Sequence, residues 1–121
     1  MRQLLTAIAV AGLIAAAAGS SSAADAPGGE AAFKAEGCTS CHVPGEYDQA
    51  PPLAGVYGRK IAGAPNWPYC DALKAKSGTW TDATLDDFLK DTQAFAPGCA
   101  MSFKLEPAKR AALIAYLKTL R

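Results

Sequence analysis

The pentapeptide Cys38-Thr39-Ser40-Cys41-His42 constrains this chain more than any other feature, because it packs two thiols and the only histidine into five consecutive positions. Three chemistries use a Cys-x-x-Cys pair. A thioredoxin-like redox motif lies near a strand-helix-strand unit, and no alternating apolar and polar strand pattern of useful length occurs here. A structural zinc site needs four ligands, and the other two cysteines, Cys70 and Cys99, form no second close pair and have no further histidine to join them.

The third chemistry is covalent haem attachment. Two thiols at this spacing reach the vinyl groups on one edge of a haem, and the next residue, His42, is carried beneath the iron. Imidazole suits iron as a proximal ligand. The second ring nitrogen then needs an acceptor to fix its orientation, for which a loop carbonyl near Pro51 is a candidate.

The amino terminus has a different character. Arg2 supplies a positive start, "LLTAIAVAGLIAAAA" is apolar, and "SSSAAD" offers small residues for cleavage, which reads as a secretory signal peptide over residues 1–24. The apolar run, Leu4 to Ala18, is shorter than the about 20 residues a membrane span needs. The mature domain is expected at residues 25–121, with Asp25 first. The chain of 121 residues carries a formal charge of +1, and loss of Arg2 balances basic against acidic side chains, so no nucleic-acid partner is indicated. A mature chain this short buries a modest fraction of its surface, and a large cofactor or a covalent staple would help it fold.

The mature residues read as helices separated by long loops. Asp25 to Gly29 reads as a flexible leader, and "EAAFKAEG" as a helix ending at Gly37, directly before the Cys/His cluster. Pro44, Pro51, Pro52, Gly45 and Gly55 forbid long regular structure after it. "YCDALKAKSG" predicts a short helix stopped by Ser77 and Gly78. "WTDATLDDFLKDT" predicts a firmer one, with Thr81 as cap and Leu85, Phe88 and Leu89 at helical spacing. Pro97 and Gly98 interrupt the chain, and Pro107 opens a last helix whose Leu113, Tyr116, Leu117 and Leu120 share one face. The expectation is an all-α domain of about four to five helices. So much loop in so small a domain requires something other than side chains at its centre.

These motifs, taken in order, resemble class I cytochrome c along essentially the whole mature chain. "FKAEGCTSCH" resembles the first helix and the haem-attachment motif. "PPLAGVYGRKIAG" is similar to the loop on the histidine side of the haem, which implies that Arg59 lies near the propionates. "YCDALKAKSGTWTDATLDDFL" resembles the segment in which a tyrosine and a tryptophan, here Tyr69 and Trp80, hydrogen-bond a propionate. "PGCAMSF" resembles the loop carrying a sulfur ligand, which implies Met101 opposite His42. "RAALIAYL" matches the closing helix, which in the family crosses the first helix near a glycine and an aromatic residue, here Gly29 and Phe33 against Tyr116.

Read without the resemblance, several of these residues have plainer roles. A loop methionine fills core gaps more often than it binds a metal, although Met101 is the only methionine once Met1 is removed with the signal. Trp80 and Tyr69 could be half-buried aromatics seeking any partner, and Arg59 a solvated charge. Cys70 and Cys99 stand where the family commonly has hydroxyl residues near one propionate. The resemblance therefore implies that they are close in space, and in an oxidising compartment that they form a disulfide rather than two small buried thiols.

The implied protein is a small cytochrome c fold wrapped around one covalently bound haem c, exported to the periplasm, monomeric, without a membrane span after cleavage. It would carry single electrons between a redox donor and acceptor, such as an oxidase, a reductase complex or a dehydrogenase, without itself being an enzyme. The alternative is a haem enzyme or gas-binding sensor with a labile methionine, for which no second histidine or distal acid is present to assist. A subunit held by one dehydrogenase is a third possibility. Leu53, Phe88, Phe95, Phe103 and Leu113 are the expected pocket residues.

Overall fold

The protein was studied as a computed structural model, which describes Gly12 and residues 25–121. The expected signal peptide, apart from Gly12, lies outside the described residues. Among the described residues five α-helices follow in order, α1 (Ala26–Ala35), α2 (Asp71–Lys74), α3 (Asp82–Lys90), α4 (Thr92–Phe95) and α5 (Pro107–Thr119), with a 3-10 turn at Cys38–Ser40. Among the described residues the only extended pairing is an isolated antiparallel bridge between Lys60 and Thr79.

The first helix begins earlier than expected. The residues read as a flexible leader are its first turn, because the Asp25 carboxylate accepts from the Gly28 amide as an N-cap and Pro27 fits the start of a helix, where its missing amide costs nothing. Gly37 ends the segment in the left-handed region (φ 79°), with its amide on the Lys34 carbonyl, and so turns the chain directly into the Cys38–Ser40 turn.

Helix α3 starts where expected. The Thr81 hydroxyl accepts from the Thr84 amide, and the Thr84 hydroxyl accepts from the Thr81 amide, so both orphan amides are satisfied. Leu85 and Leu89 of α3 are buried and Phe88 is half-buried. Helix α4 is an addition to the sequence reading, which took this stretch as a plain break. The Asp91 carboxylate accepts from the Ala94 amide and caps a single turn before Pro97 stops it.

Helices α1 and α5 cross at the centre. Gly29 is buried, and a Cβ on it would collide with the Ala112 carbonyl and come within 2.6 Å of the Tyr116 Cβ, so the two backbones touch where only glycine fits. One turn on, the Phe33 and Tyr116 rings meet at 5.4 Å. Ala112, Leu113, Ile114 and Leu117 of α5 are buried, and α3 lies alongside, joined by Arg110 to Asp86 (2.7 Å) and Lys118 to Asp82 (2.8 Å).

The long loops are tied to this frame by backbone bonds rather than by strands. Gly55 donates to Leu120 (2.8 Å), Gly58 to the Trp80 carbonyl (2.7 Å), Trp80 to Arg59 (2.8 Å) and Ile61 to Gly78 (3.0 Å). Arg59 and Trp80 are thereby clamped side by side.

In an open helix, alanine in place of glycine gains stability. At the α1–α5 crossing the sign reverses. Gly29→Ala is expected to lose about 1–3 kcal/mol from overpacking, read as a lower guanidinium midpoint at unchanged slope. An equal or higher midpoint would contradict the close crossing.

Candidate functional site

The helices and clamped loops surround one largely apolar cavity of about 440 Å³, within the range of small-molecule sites. Cys38, Cys41 and His42 line it from the turn after α1, and Met101 lines it from the loop before α5. Arg59, Tyr69 and Trp80 add a third part of the wall, and Cys70 and Cys99 meet at its margin. The structure thus brings the candidate attachment, ligand, propionate and disulfide residues to one cavity. Of the expected pocket residues, Leu53, Phe88, Phe103 and Leu113 face it. Phe95 does not: it stacks on Trp80 (5.8 Å) and meets Phe88 edge-on (5.4 Å) behind the wall.

Residues that sequence reading did not assign to the cavity complete it. Val56, Leu85 and Leu89 are apolar lining, and Phe33, expected only at the helix crossing, serves both surfaces. Trp67, which also lines the cavity, stacks on Tyr47 at 6.3 Å, and the Tyr47 hydroxyl donates to the Pro65 carbonyl. Only helical periodicity could have signalled Leu85 and Leu89, and periodicity does not separate cavity from core.

The polar groups at the cavity are few, and two of them lack partners. The His42 Nδ1 is buried without a well-aligned hydrogen bond. Burial pushes the His42 imidazole below its ordinary range, opposed by the Pro51 carbonyl, so the ring is neutral and retains the lone pair that metal ligation requires. Arg59 donates from its two terminal nitrogens to Pro52 (3.0 Å) and Ala54 (3.5 Å), but its Nε is buried and unpaired. Tyr69 uses its hydroxyl oxygen to accept from the Ala64 amide (3.0 Å), which leaves its proton free for another acceptor. Burial also pushes the Cys38 thiol up, while Cys41 is exposed.

A flat, apolar group with two carboxylates and a metal at its centre fits this donor set. Two thiols could attach such a group covalently, a neutral imidazole and a thioether could serve it as ligands, and an arginine with an unspent buried donor could meet an anion. Among the described residues no three His, Cys, Asp or Glu side chains are grouped to hold a bare metal ion.

The Met101 loop is anchored at its rim. Cys99 pairs with Cys70 in disulfide contact, with Cα atoms 5.5 Å apart and the two residues 29 positions apart in sequence. The Gln93 amide nitrogen donates to the Cys99 carbonyl (2.7 Å) and the Met101 carbonyl (2.8 Å), and Thr92, fully buried, donates from its hydroxyl to the Met101 carbonyl (2.9 Å).

Fold and site together define a small all-α haem protein with thioether attachment. Comparison with known proteins names the family: the cytochrome c profile matches residues 26–121, and the chain belongs to the cytochrome c family. It is 39% identical over 101 residues to a cytochrome c of Chlamydomonas reinhardtii, covering 79% of this chain and 89% of the relative. Cytochrome c2 iso-2 of Magnetospirillum fulvum is 43% identical over 88 residues, covering 69% and 91%. Among solved structures, cytochrome cH from Methylobacterium extorquens superposes with a TM-score of 0.71 at 40% identity, covering 78% of this chain and 98% of that one. As a member of the family the chain binds one covalently attached haem c and is a haem-based electron carrier.

Haem attached through thioethers survives denaturation. The purified holoprotein is expected to keep its haem stain on a denaturing gel, and the Cys38→Ala/Cys41→Ala double variant to lose it.

Proposed function

We propose that this chain shuttles single electrons in the periplasm between a redox donor and acceptor, with the haem iron held by His42 and Met101. The observation that carries this reading is that the mature chain's one histidine and one methionine line the same apolar cavity, next to the two attachment cysteines. Held there by His42 and Met101, the haem would supply one-electron chemistry, and the pairing of a thioether with an imidazole would raise its reduction potential and leave no position for a substrate.

The chain's own residues supply the rest. Cys38 and Cys41 hold the group permanently, so it does not leave with either redox partner. His42 is kept neutral by burial, and the Pro51 carbonyl beside it is the acceptor available to the ring. Arg59, whose Nε is buried and unpaired, and Tyr69 and Trp80 beside it, would hold the propionates and oppose their charge. The apolar wall excludes water, which limits the rearrangement that accompanies each electron.

The Cys70–Cys99 pair is read as a disulfide, which the oxidising compartment preserves. No helix among the described residues is long and apolar enough to cross a membrane, which fits a diffusing carrier. Contacts with partners are small and transient for such carriers. Around the Met101 loop charge is nearly balanced, since Asp91 is spent on the α4 cap and on Lys104 (3.6 Å). Steering by charge is accordingly weak.

The visible spectrum of the purified ferric protein tests the ligand set. A far-red methionine-to-iron band, with no change of the reduced spectrum under carbon monoxide, is the expected result. Absence of the band with ready carbon monoxide uptake would favour the enzyme or sensor alternative.

For the bridge, mass spectrometry of the non-reduced holoprotein is expected to find no free thiol. Replacing both Cys70 and Cys99 by serine should cost about 3–4 kcal/mol of stability in the chain-entropy account. Two alkylatable thiols would refute the disulfide.

A further inference from the structure

Among the described residues Thr92 is the one polar member of the buried set, with no exposed surface, and the loop it touches returns to it 9 to 11 positions later. A hydroxyl has one proton to give and two lone pairs to offer. Here the Thr92 hydroxyl donates to the Met101 carbonyl (2.9 Å), stands 3.3 Å from the Phe103 carbonyl, and accepts from the Phe103 amide (2.8 Å). The Thr92 amide itself donates to the Phe103 carbonyl (3.0 Å). One residue therefore brackets Met101, Ser102 and Phe103 from both ends.

Its neighbour completes the grip. Gln93 gives both amide protons, to the Cys99 and Met101 carbonyls (2.7 and 2.8 Å), and its Oε1 accepts from the Gly98 amide (3.1 Å). The Met101 carbonyl thus has both lone pairs occupied by side chains of α4. Phe103, whose backbone is held in the same bracket, lines the cavity beside Met101. Helix α4 exists because Asp91 caps it, and that cap sets Thr92 and Gln93 under the loop.

We propose that Thr92 and Gln93 are positioning residues that hold the Met101 backbone in place and so decide how readily its sulfur leaves the iron. The proposal rests on the reading of Met101 as a ligand. For the thioether to withdraw, the backbone that carries it must move, and that movement breaks bonds to a half-buried carboxamide and to a hydroxyl that is fully buried and so left without a partner. The Cys70–Cys99 bridge acts on the same loop from the other side, but it constrains Cys99 and leaves the two following residues free to swing. The clasp is what constrains Met101 itself.

The probe is imidazole, which binds ferric haem iron only where the methionine has been displaced. Imidazole binding and the far-red methionine band are measured for the ferric holoprotein and for Thr92→Val, Thr92→Ser, Gln93→Ala and Gly29→Ala. Valine keeps the shape of threonine but removes the hydroxyl, so Thr92→Val is expected to bind imidazole at least about tenfold more tightly and to lose part of the band. Gln93→Ala should do the same, and Thr92→Ser should stay close to the parent. Gly29→Ala, which lowers stability at the helix crossing without touching the loop, should leave imidazole binding unchanged. If Thr92→Val does not fold, the half-exposed Gln93 decides the question alone. Parental imidazole affinity and an intact band in the Thr92→Val and Gln93→Ala proteins, whatever their stability, would overturn the clasp. A parent protein with no band and free imidazole uptake would instead overturn Met101 ligation, and the clasp with it.

Discussion

The structure depends on an apolar cavity that is also its core. Phe33, Val56, Trp80, Leu85, Leu89, Leu113 and Leu117 belong to the buried cluster that holds the helices together and also line the cavity. In a domain of this size there is little apolar surface to spare, so the group that fills the cavity supplies much of the burial that side chains alone cannot. Covalent attachment, proposed above at Cys38 and Cys41, would make that contribution permanent. The α1–α5 crossing at Gly29 fixes one side of the chamber, and the clamped pair Arg59 and Trp80 fixes another. The loop that brings in Met101 is held separately, by Thr92, Gln93 and the Cys70–Cys99 pair.

Much of this was legible in the sequence because the determining signals are local. Cys-x-x-Cys-His specifies its chemistry within five residues, Thr81 and Pro107 mark helix starts by their own hydrogen-bonding capacity, and Pro97-Gly98 announces a turn whatever lies around it. The departures occur where a cap acts on a segment too weak to be read alone. Asp25 converts a run of small residues into the first turn of α1, and Asp91 makes a single turn of helix out of residues that look like a break. Neither segment has enough apolar periodicity to announce itself.

The cavity was less legible, for a different reason. Phe95 and Phe88 carry the same side chain near one another, yet Phe88 faces the cavity and Phe95 supports Trp80 from behind. That distinction is set by the direction in which α3 and α4 meet, which no single-sequence pattern encodes. Thr92 is a sharper case. In sequence Thr92 is the last residue of the segment WTDATLDDFLKDT, read as one helix, and only the return of the chain at Met101 and Phe103 gives its hydroxyl partners and removes it from water.

Both tryptophans of the chain, Trp67 and Trp80, stand on the cavity wall, one nearer the surface against Tyr47 and one buried between Phe88 and Phe95. A porphyrin absorbs where indole emits, so both side chains are dark while the group is beside them and brighten when the wall moves away. The protein therefore carries two intrinsic optical gauges of its own closure, at different depths. Loosening of the outer loops and opening of the inner core would register as separate rises in emission, without any label.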